Sequence, residues 1–163
     1  MKWSKLKSRV KDRVCPELRD RIDFHITRYR RATDNGIEAW ITFDGSKIFG
    51  AGNYHRSVPG AVEWHRRKKE GMTVADAEML RMEIIDMLDR RELHDNEQLV
   101  GSMRAYLDMA VSDALKSDNP FIKALAIIDR RVGSRTLKKV EIDDSEHSLV
   151  KAVYELRCAS AHP

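Results

Sequence analysis

Over residues 3–14, Trp3, Leu6, Val10 and Val14 recur at the spacing of one helical face while Lys5, Lys7, Arg9, Lys11 and Arg13 fill the rest. That pattern predicts a short amphipathic helix with a basic outside, closed by Pro16. From Ile22 the period changes to two: Ile22, Phe24 and Ile26 alternate with Asp23, His25 and Thr27, as in a half-buried strand. Asn35-Gly36 and Asp44-Gly45 are both hairpin dipeptides, because each supplies the positive φ values of a type I′ turn. They predict a three-stranded antiparallel meander, with a middle strand over residues 37–43 and a third from near Lys47. Two-residue turns at both places would set Arg31 opposite Trp40, Arg30 opposite Ile41, Ile41 opposite Ile48 and Trp40 opposite Phe49. One face would then carry Ile22, Phe24, Ile26, Ile41 and Ile48 and be buried. The other would carry Trp40, Phe49, Arg31 and Tyr29, either covered by the N-terminal helix or open as a binding platform.

Residues 50–71 hold Gly50, Gly52, Asn53, Pro59 and Gly60, then the basic run His65-Arg66-Arg67-Lys68-Lys69. They read as a loop with at most one helical turn near Val62–Lys68. Helical periodicity returns after Gly71. Thr73 is a candidate N-cap with Asp76 three residues on, ahead of a stripe of Ala77, Leu80, Ile84, Ile85 and Leu88. Asp95 starts a second helix carrying Leu99, Met103, Tyr106, Leu107, Ala110, Val111 and Ala114, and Asn119-Pro120 a third carrying Phe121, Leu125 and Ile128 as far as Gly133. A last helix from about Ser145 aligns Leu149, Val150, Val153 and Leu156. The expectation is an α+β chain: an N-terminal helix, small sheet and basic loop over 1–71, and a four-helix region over 72–163 packed with the sheet.

Charge refines this picture. The formal net charge is +4, yet residues 1–31 hold eleven Lys/Arg against four Asp/Glu, and residues 72–118 hold five against eleven. The basic N-terminal segment could attract phosphates through counterion release or simply pack beside the acidic helices. No apolar run suits a signal peptide or a membrane span, which predicts a cytoplasmic chain. Cys15 and Cys158 are too few and too far apart for a zinc set or a disulfide framework.

Candidate chemistry is sparse. Arg157 and His162 fit the Arg-x4–6-His spacing of HEPN-type ribonucleases, in which Arg steadies a scissile phosphate and His moves protons, although Arg19 and His25 fit it too. Glu83, Asp86 and Asp89 lie within two helical turns, but Arg81, Arg90 and Arg91 among them make an ion-paired solvent face the better account. Arg130, Arg131 and Arg135 surround a helix C-terminus, where cations complement the dipole. There is no nucleophile elbow and no phosphate-binding glycine loop, and no metal ligand set or cofactor is expected.

The segments MKWSKLKSRV, RIDFHITRYR, AWITFDG, DRRVGSRTLKK and YELR together resemble a family of uncharacterised bacterial conserved-hypothetical proteins. The resemblance implies a bacterial source and a natural C-terminus, and implies no activity. With no catalytic constellation, the sequence argues against an enzyme. It favours an interaction protein whose sheet or 50–71 loop contacts a protein partner through Arg28, Tyr29, Arg31, Trp40, Phe49, Arg66 and Arg67. A nucleic-acid binder using Arg28, Arg30, Arg31 and the 65–69 run is the alternative, with a ribonuclease on Arg157 and His162 third. The sequence carries no signature of oligomeric state.

Overall fold

A computed structural model describes residues 1–28 and 36–160, and over these the chain is α+β. Helices α1 (Trp3–Lys11) and α2 (Pro16–Arg19) precede strands β1 (Ile22–Arg28), β2 (Ile37–Phe43) and β3 (Ser46–Gly52). Helices α3 (Asn53–Arg67), α4 (Val74–Arg90), α5 (Asn96–Leu107), α6 (Val111–Ala114), α7 (Pro120–Ile127), α8 (Ser134–Leu137) and α9 (Ser148–Ser160) follow. Tyr29, Arg30, Arg31, Asn35 and His162 lie outside the described residues.

The meander has the expected order β1-β2-β3 and is antiparallel throughout, but its first register differs from the expected one. Phe24 pairs with Ile41 and His25 with Trp40, where a turn at Asn35-Gly36 would have placed Arg30 and Arg31. That tight turn would have paired Arg28 with Phe43 and left Ile22–Ile26 hanging past the end of β2. The observed register pairs all seven residues of β1, matching Ile22 to Phe43 and Phe24 to Ile41. Because the shift is an even number of residues, the faces of both strands are preserved.

The second turn is as expected: Asp44 (φ 47°) and Gly45 (φ 79°) sit in the left-handed region, and Phe43 pairs with Ser46 and Thr42 with Lys47. A β-bulge then shifts the register, so that Ile41 faces Phe49 and Trp40 faces Gly50. The expected Ile41–Ile48 and Trp40–Phe49 pairs are therefore corrected. The bulge gives the inner place to the larger ring of Phe49 and leaves Ile48 only half-buried. Ile26 is likewise half-buried.

The inner sheet face, with Ile22, Phe24, Ala39, Ile41, Phe49 and Ala51, joins Leu99 and Met103 of α5, Phe121 and Leu125 of α7, and Leu149 and Val153 of α9 in one core. Leu6, Val10, Val14 and Leu18 complete it, so α1 lies against this core and α5 rather than across the Trp40 face. Burial of each such side chain contributes about 1.5–3 kcal/mol.

Helix starts obey their capping signals. Thr73 and Asp76 form a reciprocal capping box, Asp95 and Gln98 form another, and the Asn119 carboxamide accepts from the backbone N–H groups of Phe121 and Ile122 ahead of Pro120. The second predicted helix breaks at Asp108, leaving Val111–Ala114 as a separate single turn.

The larger departure is α3, a 15-residue helix where a loop was expected. Gly50 and Gly52 belong to β3, Pro59 is accommodated inside the helix, and Gly60 serves contact: a Cβ there would stand 3.3 Å from Leu88 Cδ1. Helices α3 and α4 form an antiparallel arm around Gly71 (φ 79°), with a small cluster of its own made by Leu80, Ile84 and Leu88 with Trp64, Met72, Met87 and Leu93.

Asp129 joins the N-terminal segment to the helices. It is fully buried, accepts from the Tyr106 hydroxyl of α5 and is held bidentately by Arg131, while its backbone bridges to Val14 and the Arg130 N–H donates to Arg13 O. Burial alone would raise its carboxyl pKa, but the Arg131 and Tyr106 hydrogen bonds outweigh that and hold it below the ordinary value. Asp129→Ala removes the acceptor and strands two donors, so it should cost about 3 kcal/mol. Urea unfolding should show a lower midpoint at unchanged slope; a midpoint equal to the parent's would contradict this account of the joint.

Candidate functional site

The structure separates the residues that the sequence groups. Trp40 stands on the outer sheet face, half-buried and stacked on His25 (5.1 Å between centroids, 10° between planes), and His25 Nε2 lies 2.9 Å from Thr42 Oγ1. Phe49 points the other way into the core, so the two aromatics do not form one platform. Arg28 is exposed at the end of β1. Arg66 and Arg67 sit at the C-terminal end of α3, paired with Glu63 and Glu83 respectively.

Five of the eleven cations in residues 1–31 are engaged within the fold. Lys7 and Lys11 pair with Asp23 at 2.8 and 3.5 Å, and Arg21 clamps Asp44 while lying over the Phe43 ring. Arg13 donates to Tyr106 O and Leu107 O at the end of α5, and Arg19 donates to Asp12 O and Val14 O. Arg157 is also used structurally: it is buried, bonds Glu17 at 2.8 Å and donates to Val132 O. The Cys15 thiol is pushed up to about 11 chiefly by burial, so it stays protonated and unreactive at neutral pH.

Two features escaped the sequence reading. The first is a ring cluster at the root of the arm. His94 follows α4, His147 immediately precedes α9, and their Nε2 atoms stand 3.0 Å apart beside Phe49 and Phe121. The tautomers follow from the partners. His147 Nδ1 accepts from the Leu149 N–H, so Nε2 carries the proton and donates to His94 Nε2; His94 Nδ1–H then faces Asp89 Oδ1 at 4.0 Å. Metal binding through His147 Nε2 would require its proton to move to Nδ1, at the cost of the hydrogen bond accepted from the Leu149 N–H. No group of three or more His, Cys, Asp or Glu side chains among the described residues could hold a metal ion. The pair instead fastens the arm: Gly52 N–H donates to His94 O, and Arg56 bonds both Asp89 and Leu93 O.

The second feature is the outside of that arm. Arg56, Gly60, Trp64 and Arg67 face α4, through Asp89, Leu88, the Leu80–Ile84–Leu88 cluster and Glu83. On the opposite side Tyr54, Val58 and Val62 run at four-residue spacing, exposed by 62%, 41% and 62%. Helix α4 exposes Val74, Met79, Met82 and Ile85. A lone exposed valine is unremarkable, but this arm exposes seven large apolar side chains, three of them in a stripe along the outer side of α3.

The family model of the SF0329 protein family matches residues 2–158. The chain belongs to that family. Membership in the SF0329 protein family agrees with the expected conserved-hypothetical kinship and brings no activity with it. No curated protein and no solved structure matches the chain. No helix among the described residues is long and apolar enough to cross a membrane.

The histidine pair makes stability depend on pH. Burial lowers the pKa of both rings, against the opposing pull of Asp89 on His94 and of Glu92 on His147. With folded pKa values below the unfolded one, the unfolded chain takes up protons first, so stability is full above about pH 6.5 and falls as pH drops through the histidine range. Urea unfolding at about pH 7.5 and 5.5 should show this drop in the parent and a smaller one in His94→Gln. An equal drop in both would remove the pair as its source.

Proposed function

We propose that the chain is a non-enzymatic, cytoplasmic interaction protein that docks on protein through the α3–α4 arm. The observation that carries this reading is the exposed stripe of Tyr54, Val58 and Val62 on the outer side of α3, with Met79, Met82 and Ile85 also exposed on α4. A soluble monomer gains nothing from that stripe, whereas a protein interface recruits Tyr, Met and aliphatic side chains into its dry centre. The nucleic-acid alternative has fewer free cations to draw on, since Lys7, Lys11, Arg13, Arg19 and Arg21 all have partners within the chain. The ribonuclease alternative needs Arg157 at a phosphate, and that guanidinium is held by Glu17 and Val132 O.

The reading is tested by affinity capture from native lysate, with and without nuclease, comparing the parent with Tyr54→Ser/Val58→Ser/Val62→Ser. These side chains pack on nothing in the core, so folding should be unchanged. The expected result is a set of partners that survives nuclease and is lost in the variant. Partners lost on nuclease treatment would favour the nucleic-acid alternative, and partners equally captured by the variant would contradict the arm as docking surface.

A further inference from the structure

We infer that the His94–His147 contact is an acid-released latch: protons taken up by this pair part the root of the α3–α4 arm from the start of α9 while the rest of the fold stays assembled. The inference concerns how the arm is attached and is independent of what the arm docks on.

The number of protons that the contact accepts carries it. Two neutral imidazoles hold two protons on four ring nitrogens. His147 Nδ1 accepts from the Leu149 N–H at 3.1 Å, so its proton is on Nε2. That N–H donates to His94 Nε2 at 3.0 Å, so the His94 proton is on Nδ1. A third proton has no place in this arrangement. On His94 Nε2 it sets two N–H groups against each other across 3.0 Å, and on His147 Nδ1 it evicts the Leu149 amide. The closed contact therefore requires both rings to be neutral.

The surrounding charges do not reverse this. From α4, Asp89 Oδ1 stands 4.0 Å from His94 Nδ1, but it is bonded to Arg56 of α3, a cation that opposes charge on His94. After α4, Glu92 Oε1 stands 4.0 Å from His147 Nδ1, but it accepts from the Ser148 N–H. Glu146, next to His147, is held by Lys123 of α7. Gln98 of α5, Phe49 of β3 and Phe121 of α7 are neutral neighbours. Burial outweighs the carboxylates at both rings, so each binds a proton less readily closed than open, and acid favours the open form. A cavity of about 450 Å³ with His94, His147, Gln98 and Glu146 among its walls opens beside the pair and admits water to it.

A strained turn stands beside the latch. Helix α4 ends with the Leu93 N–H bonded to Leu88 O and with Glu92, rather than glycine, in the left-handed region at φ 54°. The Glu92 carboxylate ties this turn to Ser148 at 2.7 Å, one residue past His147. On the sheet side of the root His55 faces Glu38 at 3.9 Å, a pair that acid strengthens, so opening is confined to the α9 side. The arm keeps its own fastenings: the Leu80–Ile84–Leu88 cluster, separate from the main core, and the Arg67–Glu83 pair. Release at the root thus leaves the hairpin formed, as a hinge-type switch requires.

The test is NMR of the full 15N-labelled chain between about pH 8 and 5. At the upper limit, long-range imidazole spectra should show opposite tautomers, His94 protonated on Nδ1 and His147 on Nε2. Below about pH 6.5 both rings should titrate in one shared step with a slope close to two protons, because the first proton opens the latch and the freed second ring then takes its own at ordinary affinity. Across that step the Ser148 and Leu149 amides should lose their exchange protection, corrected for intrinsic rates, while amides of α5 and α7 keep theirs. His94→Gln offers a carbonyl that accepts the His147 Nε2–H in either charge state, so its Ser148 amide should stay protected at about pH 5.5. Rings that titrate separately with the Ser148 and Leu149 amides unmoved would overturn the inference. So would protection lost in all helices together, which is general unfolding, or Ser148 opening alike in parent and variant. Should the variant not fold, the tautomers, the slope and the two amides of the parent decide alone.

Discussion

Helix α4 has one principal packing neighbour, α3, and the arm they make depends on it. A helix in water holds its shape mostly by burying a stripe, and here that stripe is Leu80, Ile84 and Leu88 against Trp64 and the open flank of Gly60. Such a cluster is too small to support two long helices on its own. The arm is instead secured by its caps and its root: the Thr73–Asp76 box at the start of α4, the Arg67–Glu83 pair near the turn, and the Arg56 bonds to Asp89 and Leu93 O. The apolar side chains left outside are then a feature of the arm's geometry, since each helix can turn only one side to the other.

The root of the arm passes this dependence into the body of the fold. The chain leaves β3 through Gly52 and returns after α4 at His94, and the Gly52–His94 hydrogen bond closes the two ends. His94 then meets His147 at the start of α9 and the rings of Phe49 and Phe121, so that arm, sheet, α7 and α9 share one cluster. At the far side, Asp129 gathers Tyr106, Arg131 and the backbone of Val14, which fixes the basic N-terminal segment to α5 and the end of α7. Part of the positive charge that marks this segment in the sequence is matched by Asp23, Asp44 and the carbonyls at the end of α5.

What the sequence reveals of this follows from how local each signal is. Thr73, Asp95 and Asn119-Pro120 cap helices through residues two or three positions away, so they are readable, as is the period-two pattern of β1. The register of β1 on β2 is not, because it depends on how many residues of β1 find partners rather than on the most attractive turn dipeptide. Helix α3 hides for a different reason: it buries no side chain completely, its apolar spacing lies on the exposed side, and Gly50, Gly52, Pro59 and Gly60 read as breakers. His94 and His147 lie 53 residues apart, and only the packed fold places their rings together.

Hydrogen–deuterium exchange tests the central claim, that the arm is held by the α3–α4 contact and its root alone. The account predicts that amides of α3 and α4 exchange faster than those of α5 and α7. Exchange in α3 and α4 that is as slow as in α5 and α7 would contradict it.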